Sequence, residues 1–344
     1  MRQLLRSGLF LALALAARAQ HPVVAATPDV GALCRAIGGN LVEVTVLARA
    51  AEDPHFVDAR PSMLRACSRA ELLVTTGREL EIGWLPVLVG NSRNGRIAPG
   101  QPGYVDTAAA VRALGVPAVG TDRSAGDVHA AGNPHYLSDP LCGLQVAALL
   151  RDRFAARWPE SADAFAANFA AFRARLAVAM VGAELAQAYD HDAERLALVF
   201  AAGRLADVLR EHGDAGRLGG WFARLAPLRG RAVVADHDLW PYFAERCGLS
   251  MVGFFEPRPG IAPTTAHLQE LIGRMQQAKA TAILSVPYFA PQHAELVARA
   301  TGARIAAMAH QPGAVPGTDD YVDWIDHNLR AVAAALDGAA SAER

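Results

Sequence analysis

Short apolar runs rich in β-branched residues recur along the chain, and each is followed by a stretch with helical spacing. Pro22 to Ala26 (PVVAA), Leu41 to Leu47 (LVEVTVL) and Glu71 to Thr75 (ELLVT) read as strands; Val30 to Ile37 and Pro61 to Ser68 read as helices. The same alternation resumes late in the chain. Strands are expected at Arg231 to Ala235, Met251 to Phe255, Thr281 to Val286 and Arg304 to Met308. Helices are expected at Leu239 to Arg246, Thr265 to Ala278, Gln292 to Thr301 and Tyr321 to Leu336. Strands alternating with helices indicate βαβ units and parallel sheets.

Between the two series the pattern changes. Gly90 to Gly103 and Thr121 to Pro134 read as loop, and from Ser161 to Tyr189 the chain is helical with few breakers. Phe165, Phe169, Phe172 and Leu176 share one face of that run. A second helical stretch, Glu194 to His212, follows. The expected division is a leader at 1–19, an N-terminal α/β lobe at 20–158, a linking helix at 159–190, a helical insert at 191–228 and a C-terminal α/β lobe at 229–338.

Composition adds little to that division but narrows the function. Of 344 residues, 52% are apolar and 19% charged, with a net charge of −1, which gives no basic excess of the kind nucleic-acid binders carry. The N-terminus is more informative. Arg2 and Arg6 precede the apolar run Leu9 to Ala17, and Ala17-Arg18-Ala19 supplies small residues at a cleavage point. This is the pattern of a secretory signal peptide, and no Cys stands there to take a lipid anchor. No later segment is expected to reach the roughly 18 apolar residues of a membrane span. Export to an oxidising compartment permits disulfides. Cys34, Cys67, Cys142 and Cys247 are widely spaced without a CxxC, so buried thiols are favoured over bridges.

Three of the eleven histidines stand out by context: His55 in EDPHF, His135 in GNPHY and His237 in ADHD. His55 and His237 directly follow expected strands, where parallel α/β sheets bind ligands; His135 fits the rule if a short strand precedes its loop. Asp319 in GTDDY is a fourth candidate, after the last strand. Three imidazoles and a carboxylate suit tetrahedral zinc. Each histidine alone is more often a hydrogen-bonded loop or core residue, and no compact HExxH or paired-Cys signal is present.

Longer motifs carry a resemblance over essentially the whole mature chain: DPHFVDARPS, LLVTTGRELEIGWLP, GDVHAAGNPHYLSDP, VVADHDLWPYFAERCGL, EPRPGIAPTTAHL and GTDDYVDWIDHN. The chain resembles the solute-binding proteins of zinc and manganese ABC transporters, the cluster A-I group. That resemblance implies two Rossmann-like α/β lobes with parallel sheets, joined by a long rigid linking helix, with the metal site in the cleft between them. It implies His55, His135, His237 and Asp319 as ligands, with Asp319 preferred over Asp320. It also implies a soluble periplasmic monomer that captures Zn2+ and delivers it to an inner-membrane ABC permease with its ATPase, with a metallochaperone as a further partner, and no enzymatic activity. His237, where manganese relatives often carry Glu, favours zinc over Mn2+. The loop before His135 is short and holds one extra histidine, His129, either a metal-capturing residue or a solvated one; His191 and His212 in the insert are expected at the surface. Asp236 or Asp238 is a candidate to orient His237, with helix capping the simpler role for Asp238. A zinc hydrolase is the rival class, because three histidines and an open position would serve it.

Overall fold

The computed structural model describes residues 20–117, 129–256 and 261–340. The leader at 1–19 and most of the Thr121 to Pro134 loop lie outside them. The N-terminal lobe holds strands β1 (His21–Ala25), β2 (Val42–Val46), β3 (Leu72–Thr75) and β4 (Tyr104–Asp106), all parallel, in the order β2-β1-β3-β4. The C-terminal lobe repeats the plan with β5 (Ala232–Ala235), β6 (Ser250–Phe254), β7 (Ala282–Ser285) and β8 (Arg304–Ala307), in the order β6-β5-β7-β8.

The crossover helices are α1 (Pro28–Gly38), α2 (Pro61–Arg69), α3 (Leu85–Asn91) and α4 (Pro140–Arg157) in the first lobe. Between the lobes run α5 (Ala162–Val181), α6 (Ala183–Ala188), α7 (Ala193–Ala201), α8 (Leu205–Glu211) and α9 (Gly220–Leu225). The second lobe adds α10 (Pro241–Cys247), α11 (Thr265–Ala278), α12 (Pro291–Thr301) and α13 (Tyr321–Ala340). Proline opens α1, α2, α4, α10 and α12, where its missing N–H costs nothing and its fixed φ suits the first turn.

Side-chain alternation divides each sheet between two cores. Val23, Ala25, Leu72 and Val74 face a central core, while Val24 and Leu73 face the outer helices α2 and α3. In the second lobe Val233, Ala235 and Leu284 face the centre, and Val234 and Ile283 face α11 and α12. The central core is continuous through α1, α4, α5 and α13, so the lobes share one apolar interior. A buried bidentate ion pair crosses the junction: the Arg246 guanidinium donates to both Asp139 oxygens at 2.8 and 2.9 Å. All four cysteines are free and buried among the described residues, and burial pushes the Cys34 thiol up to about 12.

Several elements differ from expectation. The long helical run breaks at Gly182, whose φ of +85 ends α5 and whose Cα meets the Gly219 backbone. Glu194 to His212 is two helices, parted at Gly203 (φ +72). β4, three residues long, and α3 stand where the pattern showed only loop or nothing. Residues Pro159–Val181 do have the length and apolar content of a membrane crossing, but here Phe165, Phe172, Leu176 and Met180 are buried in the shared core. Asp238 does not cap a helix; α10 begins later, at Pro241.

Candidate metal centre

The carboxyl ends of the two sheets face one another, and the histidines come from the loops there. His55 lies on the loop after β2, His237 two residues after β5, and His310 in the loop after β8. His129 and His135 belong to the long connection from β4 to α4. His310 Nε2 reaches across to the Glu52 carbonyl at 3.1 Å, which ties the two loop sets together.

Ligand atoms of His55, His129 and His135 all lie within 4.8 Å of one another. The Nε2 atoms of His55 and His129 are 3.2 Å apart. Two nitrogens bound to one tetrahedral zinc at 2.0–2.1 Å stand about 3.3 Å apart, so this spacing fits a shared ion as well as it fits an N–H···N hydrogen bond. His237 stands beside this set from the second lobe, outside the 4.8 Å spacing, with its ring centroid 6.0 Å from that of His55 and 6.2 Å from that of His135. His55, His129 and His237 are each less than 10% exposed. His135 is half-buried as a residue, yet its Nε2 is sealed from solvent with no hydrogen-bond partner. A buried nitrogen without a partner is costly unless something accepts its lone pair.

Carboxylates stand behind two of these rings. Asp53 Oδ1 is 2.7 Å from His55 Nδ1 and also accepts the His55 backbone N–H at 3.0 Å. Glu256 Oε2 is 2.9 Å from His237 Nδ1. Each acid favours its imidazole with Nδ1 protonated and Nε2 unprotonated, the usual arrangement behind a metal-bound histidine. Their two charges also balance a dication. Burial opposes ionisation of Asp53, but its bonds to His55 outweigh that and hold its carboxyl below the ordinary range. His135 is driven well below the usual imidazole range, first by burial and then by the surrounding histidines, so it stays neutral as a ligand must.

Neither Asp319 nor His237 belongs to the set of ligand atoms within 4.8 Å of one another. Asp319 is exposed, with Gly313 beside its carboxylate, in a loop fixed by Thr318, whose hydroxyl donates to the Val315 carbonyl at 2.7 Å. Asp320 accepts from the Val322 N–H at 2.8 Å and pairs with Arg175 at 2.8 Å. The orienting acid of His237 is Glu256, rather than Asp236 or Asp238; Asp236 instead accepts from the Val286 N–H at 2.8 Å. Asp53 and His310 were not singled out from sequence. An Asp-Pro-His tripeptide, whose turn folds the acid back on its own histidine, was the available signal for Asp53. Nothing local marks His310. A cavity of about 700 Å³, lined by Leu85, Val89 and Tyr104 among others, opens elsewhere in the first lobe and touches none of the imidazoles.

The zinc-uptake complex component A periplasmic (ZnuA) family profile matches residues 23–195 and 220–335. The high-affinity zinc uptake system protein ZnuA of Yersinia pestis is 24% identical over 319 residues, 89% of this chain and 88% of that one. The ZnuA of Paracoccus denitrificans is 43% identical over 68 residues, 20% of this chain and 21% of that one. Among solved structures, a crystal structure of ZnuA superposes with a TM-score of 0.66 at 22% identity, covering 93% of this chain and 99% of the other. A Mn-bound periplasmic metal-binding protein from Candidatus Liberibacter asiaticus has a TM-score of 0.65 at 16% identity, covering 92% and 100%. The chain belongs to the zinc-uptake complex component A periplasmic family.

Proposed function

We propose that this protein is an exported carrier that captures Zn2+ between its lobes and delivers it to an inner-membrane ABC permease powered by its ATPase. The observation that carries this reading is the convergence of imidazoles from both lobes, with the His237 ring centroid 6.0 Å from that of His55 and 6.2 Å from that of His135. His55, His135 and His237 are the ligands the resemblance implies. His129 takes the fourth place in this arrangement, where the resemblance would put Asp319. Zinc here is cargo. An all-imidazole shell favours it over Mn2+, which prefers oxygen donors.

The leader pattern at 1–19 supports export to the periplasm. Loading by a metallochaperone remains compatible with the reading. Four protein donors leave no open coordination position for a reactive water, which argues against a hydrolase. Turnover of ester or peptide substrates by the zinc-loaded protein, abolished in His237→Ala, would overturn that part.

Metal analysis of purified protein tests the site. One zinc per chain is expected, lost in His55→Ala and His129→Ala and kept in Asp319→Ala. Zinc kept in His129→Ala but lost in Asp319→Ala would move the fourth ligand to Asp319; zinc kept in all three would remove the site.

A further inference from the structure

Two ligands are presented by the same tripeptide plan, Asp53-Pro54-His55 and Asn133-Pro134-His135. In both, the first side chain accepts the histidine's backbone N–H, at 3.0 Å from Asp53 and 2.9 Å from Asn133. Beyond that they diverge. Asp53 spends its charge on its own imidazole. Asn133, 7% exposed, uses its amide nitrogen across the cleft, donating to the Asp238 carbonyl at 2.7 Å and approaching its carboxylate at 3.3 Å. Asp238 adjoins His237. One buried side chain therefore joins the backbone that presents His135 to the backbone that presents His237.

Behind Asn133 stands a strained turn. Gly77, Arg78 and Glu79 take φ values of +81, +49 and +64 in succession. Such conformations cost of order 1–3 kcal/mol for a residue with a Cβ, so they persist only where other contacts fix them. The Glu81 carboxylate does so, accepting from the Thr76 and Gly77 N–H groups at 2.7 and 3.2 Å. The turn aims Arg78 inward, where it donates to the Asn133 carbonyl at 3.2 Å, to the Val111 carbonyl at 2.5 Å and to the Tyr242 hydroxyl. It aims Glu79 at the N–H of Ala130, next to His129, at 3.0 Å. The segment from His129 to His135 is thus held at both ends.

We propose that Asn133, backed by Arg78, is a positioning residue that sets the separation of His135 and His237 across the cleft and with it the geometry offered to the metal. An amide is needed there. A carboxylate could still accept from the His135 N–H, but it could not donate to Asp238 and would face the Asp238 carboxylate at close range. The proposal rests on the zinc reading above.

Asn133→Asp, nearly isosteric, and Asn133→Ala test it, with Arg78→Lys as a third variant that keeps the charge but loses the planar fork. Zinc affinity is read by competition with a chromophoric chelator, and ligand geometry by the visible spectrum of the Co2+-loaded protein. Removing a group that orients metal ligands typically costs 10–100-fold in affinity. Asn133→Asp is expected to weaken zinc binding by at least about 10-fold and to shift the Co2+ bands, with Arg78→Lys shifting them in the same direction. A merely structural role would lower the thermal midpoint of the metal-free protein while leaving the Co2+ spectrum of the folded protein unchanged, and that result overturns the proposal. Zinc affinity within twofold of the parent in both Asn133 variants does the same. A parent protein that binds no zinc, or a His135→Ala variant that binds it fully, would instead defeat the zinc reading itself.

Discussion

Replacing Asp53 by Asn removes one charge and almost no volume. In the parent, a carboxylate oxygen 2.7 Å from His55 Nδ1 keeps the proton on that nitrogen and leaves Nε2 as the donor. A hydrogen bond to a charged group contributes about 1.5–3 kcal/mol and a neutral one about 0.5–1.5, so the exchange loses about 1–1.5 kcal/mol. At 1.4 kcal/mol per decade, that is about a tenfold loss of zinc affinity if the amide oxygen still faces Nδ1. If the amide turns its NH2 to the ring, Nε2 must carry the proton and the loss grows toward 100-fold. Chelator competition at pH 7.5 measures it. Glu256→Gln should cost a similar factor at His237, and because both histidines serve one ion the two losses should not simply add in the double variant. An Asp53→Asn protein that binds zinc within twofold of the parent would refute the idea that these acids set the tautomers.

The remaining predictions concern stability and metal. Burial holds the His310 pKa at about 4 against an ordinary 6.5, with its bond to the Glu52 carbonyl opposing the shift. Below pH 6.5 the unfolded chain takes a proton that the folded one refuses, so this group's contribution is present above 6.5 and lost as pH falls toward 4. It amounts to about 3 kcal/mol over that window, and His310→Gln should lose correspondingly less stability than the parent in denaturant titrations of the metal-free protein at pH 7 and pH 4. Gly143 in α4 lies against the Tyr321 hydroxyl, which donates to the Leu137 carbonyl at 2.7 Å. Gly143→Val should therefore cost about 1–3 kcal/mol by overpacking; an unchanged melting midpoint would show that α13 is free to shift. Zinc binds only the folded chain, so removing it with a chelator should lower the midpoint, by about 2.7 kcal/mol of stability when free zinc had stood at 100 times the dissociation constant.

Seven of the eight strands were legible: the central ones are buried on both faces and written as unbroken apolar runs, as in Leu72–Thr75 and Ala232–Ala235, and the edge strand β2 shows as β-branched residues alternating with polar ones. β4 was not, since three residues cannot show a period. The long helical run hid its break because one glycine, Gly182, changes the backbone without changing the apolar pattern. The sequence placed His55 and His237 after strands, and β2 and β5 do precede them. His135 satisfied its condition through β4, the strand that was missed. For His129 the sequence left a metal-capturing residue and a solvated one open, because its approach to His55 is shaped by Glu79, fifty residues earlier and held in an improbable conformation. Glu256 lies 19 residues beyond His237, and the return of β6 beside β5 brings them together. For Asp319 the sequence offered an acid at a helix entrance; the turn around Thr318 leaves it exposed.

X-ray absorption at the zinc edge of the loaded protein tests the central claim most directly, because it counts imidazoles and identifies the remaining donors. A first shell of four nitrogens at about 2.0 Å, with the outer-ring scattering of four imidazoles, is the result expected for His55, His129, His135 and His237. A sulfur shell at about 2.3 Å, or a shell of three imidazoles with an oxygen donor, would contradict it.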